Sequence, residues 1–140
     1  MVKCLFKKLL NKSMLLEEGP ALAETSKGWI GVDLDGTLAS YDGWYGPAYI
    51  GEPIEPMLRR VNEWLAQGVE VRIFTARASV PEYVPYVKQW LEKQGLRSLR
   101  VTNEKDFGMI CLWDDRCVEV VTNEGVPKIS NTESSQQELD

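Results

Sequence analysis

Histidine is absent from this chain. That rules out serine or cysteine nucleophiles activated by an imidazole, and every zinc site that uses a histidine ligand. Acid–base chemistry must then come from carboxylates, lysine, tyrosine or cysteine. Cysteine is scarce as well: Cys4, Cys111 and Cys117 are the only three, with no Cys-x-x-Cys spacing. An odd count without that spacing argues against a disulfide framework and against a structural zinc. Cys111 and Cys117 lie in apolar, strand-like runs and read as buried thiols in a reducing, cytoplasmic setting. No stretch is long and apolar enough to cross a bilayer, so no membrane span is expected. Positive charge is also short, with 16 Lys and Arg against 21 Asp and Glu, a net charge of −5. A chain of that sign is not expected to bind duplex nucleic acid tightly.

What is present fits one domain with a real core: 140 residues, 44% of them hydrophobic. Residues 1–28 read as a basic amphipathic segment followed by a linker. Lys3, Lys7, Lys8 and Lys12 accompany Leu5, Phe6, Leu9 and Leu10 at helical spacing, and Gly19-Pro20 breaks the pattern. The lysines interrupt any apolar core, which argues against a signal peptide. Residues 29–122 carry the domain, and 123–140 read as a polar, disordered tail.

Within the domain, strands and helices alternate. Trp29–Val32 predicts a strand, 39–53 a loop rich in glycine and aromatics, and Glu55–Gln67 a helix closed by Gly68. Val69–Phe74 predicts a second strand and Pro81–Gln94 a second helix, closed by Gly95. Leu99–Thr102, Met109–Trp113 and Cys117–Val121 predict three further strands. This alternation implies an α/β fold with a mostly parallel sheet flanked by helices.

The polar residues fall just past the carboxyl ends of those strands, where open α/β sheets bind ligands. Asp33-Leu34-Asp35-Gly36-Thr37-Leu38 leaves the first strand, Thr75-Ala76-Arg77 the second, Asn103-Glu104-Lys105-Asp106 the third and Asp114-Asp115-Arg116 the fourth. Strand alternation sends Asp33 and Asp35 to one side, and Gly36 permits a tight exit. Carboxylates gathered this closely repel one another without a cation, and all-oxygen ligands favour Mg²⁺. The Thr75 hydroxyl and Lys105 are suited to an anionic phosphoryl oxygen. With no histidine, covalent chemistry falls to an aspartate, giving an aspartyl-phosphate.

The order Asp-x-Asp-Gly-Thr-Leu, strand-end Thr, Lys, strand-end Asp-Asp resembles the haloacid dehalogenase-like (HAD) superfamily of phosphohydrolases over Trp29 to about Thr122. That resemblance implies a three-layer Rossmann-like fold and a Mg²⁺-dependent phosphoric monoester hydrolase. Asp33 would be the nucleophile and Asp35 the general acid/base, with the Asp35 main-chain carbonyl also on the metal. Thr75 would bind the phosphoryl group, Lys105 would neutralise charge, and Asp115 would be the direct metal ligand from the last pair, with Asp114 in support or in exchange, alongside Asp33 and Asp35. Gly36, Thr37 and Arg77 are further candidates for substrate contact.

Residues 36–54 and the stretch between Thr75 and Lys105 leave no room for a cap domain, so the chain resembles the capless group. The flap holds Tyr41, Trp44, Tyr45 and Tyr49 within nine residues; these aromatics would either stack on a base or pack the flap shut. A looser resemblance to polynucleotide 3′-phosphatase domains and deoxyribonucleotidases makes a nucleotide or a nucleic-acid end the expected substrate. The alternatives are a phosphotransferase or phosphomutase using the same intermediate, and a non-catalytic HAD-like binding protein. A signalling receiver domain uses similar residues but would place its acidic pair first in the chain. The N-terminal segment could supply a homo-oligomer contact in place of the missing cap.

Overall fold

The computed structural model describes residues 28–129. The basic N-terminal segment and the last part of the tail lie outside the described residues. Four strands form one all-parallel sheet: β1 (Trp29–Val32), β2 (Glu70–Phe74), β3 (Arg100–Thr102) and β4 (Met109–Trp113), in the order β3-β2-β1-β4. β1 is central and every one of its residues is buried, which is why its sequence reads as a continuous apolar run.

Two helices connect the strands. α1 (Glu55–Ala66) carries Pro56 in its first turn and buries Met57, Val61 and Trp64. α2 (Val84–Lys93) buries Val87, Trp90 and Leu91. Both end as the glycines predict. Gly68 and Gly95 take positive φ, and the amides of Val69 and Leu96 reach back to the carbonyls of Trp64 and Leu91, a Schellman closure. The second helix starts later than its pattern implies, because Pro85 has no N–H to give Pro81. The chain instead makes a short 3₁₀ turn over Pro81–Tyr83.

The core lies on one face of the sheet. Ile30, Val32, Val71 and Ile73 pack with Val61, Trp64, Val87 and Leu91 in a single cluster, so both helices cover that face. On the other face Trp29 and Arg72 meet the connector 103–108. Asp106 accepts from Trp29 Nε1 at 2.7 Å and from Arg72 Nη1 at 3.0 Å, and the Arg72 guanidinium lies 4.4 Å from the Trp29 ring. The described residues thus supply a sheet and one helical layer.

The expected fifth strand, Cys117–Val121, does not join the sheet. The short Asp114–Arg116 link from β4 allows only an antiparallel return, since a parallel one needs a long crossover. Its residues turn outward: Val118 is 75% exposed and Val120 54%. They pair instead with the first part of the expected tail, through Val121 N–H to the Val126 carbonyl and Lys128 N–H to the Glu119 carbonyl. Cys117 is consequently exposed rather than buried, whereas Cys111 is partly covered and its thiol is pushed up by burial. Among the described residues no helix is long and apolar enough to cross a membrane.

Candidate active site

The carboxyl ends of β1, β2 and β4 open into one pocket of about 910 Å³, lined by Asp33, Asp35, Thr75, Asp114 and Asp115 among others. Parallel pairing creates this convergence, because every strand delivers its last residue to the same edge. Val32 pairs with Ile73 on one side and Trp113 on the other, and the Asp33 amide donates to the Trp113 carbonyl at 2.9 Å. Asp33 and Asp114 therefore emerge side by side.

Asp33, Asp114 and Asp115 each offer a carboxylate oxygen, and these oxygens lie within 4.8 Å of one another. Thr37 ties the group together. Its Oγ1 lies 3.1 Å from Asp33 Oδ2 and 3.3 Å from Asp115 Oδ1, and it accepts from the Asp115 amide at 3.1 Å. Gly36 has φ of +90°, and a Cβ there would run into the Asp115 carboxylate. Glycine thus serves both the turn and the close approach of the third acid. Asp114 Oδ1 accepts from the Arg116 amide at 2.8 Å, which fixes the turn after β4.

Crowding shows in the electrostatics. The Asp33 carboxyl is pushed up from 3.8 to about 7, first by burial and then by the charge of Asp114, with Asp115 adding to the rise and Thr37 opposing it. A divalent cation among these oxygens would relieve that repulsion, and a hard, all-oxygen set suits Mg²⁺.

Asp35 stands apart from the acidic trio. Both its oxygens accept from Arg77, at 2.7 Å from Nε and 2.9 Å from Nη2. The expected metal contact of Asp35 is through its main-chain carbonyl, which this pairing leaves free. Thr75 is buried at the end of β2; its Oγ1 accepts from the Arg77 amide at 3.2 Å, so its own hydroxyl proton remains available to a ligand. Arg77 is only 5% exposed and also holds the flap, donating to the carbonyls of Pro47 at 3.0 Å and Tyr49 at 2.9 Å.

Lys105 is not brought into this lining. It sits exposed on the connector 103–108, which runs from Asn103 at the pocket to Asp106 against Trp29, the first residue of β1. Arg116, directly after the acidic pair, is instead the exposed cation at the pocket.

Of the flap aromatics, Tyr41 and Trp44 line the pocket, while Tyr45 packs edge-on against Tyr49 with ring centroids 5.3 Å apart. Trp44 lies 4.8 Å over the Arg77 guanidinium and 5.8 Å from the Tyr83 ring, yet stays 51% exposed. Tyr83, Val80 and Asn103 also line the wall. Sequence reading missed them: Tyr83 and Val80 fall within or beside a segment whose pattern is helical, and Asn103 reads as an ordinary loop residue. The chain matches no family model, no curated protein and no solved structure.

Proposed function

We propose that this protein is a capless, HAD-like phosphatase that hydrolyses a phosphomonoester through an aspartyl-phosphate on Asp33. One observation carries the reading: Asp33, Asp114, Asp115 and Thr75 converge on a single open pocket at the carboxyl edge of a parallel sheet. The four motifs that resemble that superfamily supply its remaining support.

In this reading an Asp33 oxygen attacks phosphorus, and the new O–P bond forms as the bond to the leaving oxygen breaks. One Asp35 oxygen, leaving its Arg77 bond to take up a proton, gives that proton to the leaving oxygen. Water then attacks the phosphoenzyme, returning a proton to Asp35 as the Asp33 O–P bond breaks and phosphate leaves. Asp33, Asp114 and Asp115, with the main-chain carbonyl of Asp35, would hold Mg²⁺. Bound there, the cation would offset charge on the phosphoryl oxygens and between the carboxylates. The Thr75 hydroxyl and Arg116 are the donors available to a phosphoryl oxygen, with Arg116 taking the part expected of Lys105. The open pocket admits water, which favours hydrolysis over phosphoryl transfer. Tyr41 and Trp44 make a nucleotide or another aromatic phosphomonoester the preferred substrate class.

The test is phosphate release from 4-nitrophenyl phosphate and a panel of nucleoside 3′- and 5′-monophosphates, with Mg²⁺ or with chelator. Mg²⁺-dependent release that Asp33→Asn abolishes is expected. Folded, metal-binding protein that releases no phosphate from any of them would leave a binding role.

A further inference from the structure

Arg77 bridges two parts of the molecule. Four bonds from one guanidinium, two to Asp35 and two to the carbonyls of Pro47 and Tyr49, join the exit of β1 to the aromatic flap. The Trp44 ring covers the same group, and the Arg77 amide is anchored on Thr75. Gly46, at φ of +97°, turns the flap immediately before those two carbonyls. A charge this deeply buried is costly without its partners, so losing the flap carbonyls or the Asp35 carboxylate destabilises the other contact.

We propose that Arg77 is a positioning residue that couples the flap to Asp35, so that the closed flap and the orientation of the Asp35 carboxylate form one conformational state. Only a planar fork serves both ends; a lysine has the charge without the geometry. The coupling is a physical property of the fold, whereas its consequence for catalysis rests on the phosphatase reading above.

Hydrogen exchange read by mass spectrometry tests the coupling directly, on wild type, Asp35→Asn, Arg77→Lys and the double variant. Each single change should raise exchange in the flap, residues 44–50, by about tenfold, and the double change should add little more. Flap exchange that is unchanged in Asp35→Asn, or effects that simply add, would overturn the proposal. A second arm uses leaving groups. Arg77→Lys should lose about tenfold more kcat on an alkyl phosphate, whose leaving oxygen needs the Asp35 proton, than on 4-nitrophenyl phosphate, with KM changed alike on both. Equal losses would confine Arg77 to holding the fold and overturn the positioning role. If wild type shows no Asp33-dependent turnover, the phosphatase reading falls, and the exchange result decides the coupling by itself.

Discussion

Asp33 combines a partly buried position with two acidic neighbours, and that combination has a consequence for stability. Its carboxyl is raised from 3.8 to about 7 in the native state, so the folded chain holds this proton more tightly than the unfolded chain does. The contribution is therefore fully present below about 3.8 and is lost as pH climbs through about 7. Asparagine at this position removes that dependence. In chelator, the melting temperature of Asp33→Asn relative to wild type should thus rise between about pH 4 and pH 7. Discounted for solvent screening, the effect should amount to about 1–2 kcal/mol. Parallel melting curves across that range would place the Asp33 carboxyl in the ordinary range. Gly36 makes a second prediction. Alanine there would have to hold φ near +90° and push back the Asp115 carboxylate, so a loss of about 1–2 kcal/mol in stability is expected. Calorimetric titration should also show weaker Mg²⁺ binding than wild type.

The elements differ in how they are held. α1 and α2 are secured by apolar faces on the shared core, and the legibility of their ends follows from local chemistry: a glycine with positive φ closes each one. The flap has little core of its own and is fastened at a few polar points. Its neck is closed by Ser40 N–H on the Glu52 carbonyl and Ile54 N–H on the Leu38 carbonyl. Gly51 allows that closure, because a Cβ there would collide with the Ser40 carbonyl. Trp90 Nε1 donates to the Gly51 carbonyl at 2.9 Å, pinning the neck to α2. Trp90→Phe keeps the ring in the core and removes that donor. It should cost about 1–2 kcal/mol and speed exchange of the Ser40 and Ile54 amides while the α1 amides stay protected. Truncating Trp64, buried between α1 and the sheet and edge-on to Trp113, should cost about 3–5 kcal/mol in chemical denaturation.

At the scale of the whole molecule, the acids of β1 and β4 are adjacent only because β4 crosses the sheet to lie beside β1. If they share one cation, millimolar Mg²⁺ should raise the melting temperature of wild type, with the rise growing logarithmically with concentration. Asp114→Asn and Asp115→Asn should each reduce that rise, and an equal shift in the variants would remove the shared site. The four strands, both helices and the strand-end position of each acid could be read from the chain, since apolar periodicity, proline and glycine act over a few neighbouring residues. The same reading reaches less far where distance decides. Cys117–Val121 has the pattern of a strand but no parallel partner within reach of a short link. Lys105 has the right place in the motif order and is exposed outside the pocket lining, while its neighbour Asp106 bonds Trp29. Arg77 reads equally from the sequence as a phosphate contact or a salt-bridged residue, and the structure makes it the buried partner of Asp35 and of two flap carbonyls more than twenty residues away in sequence. Local patterning was enough to specify the elements and the chemical character of their ends. Which ends meet, and which charges are used up holding one another, depended on strand order and packing, because those interactions join residues that no sequence spacing relates.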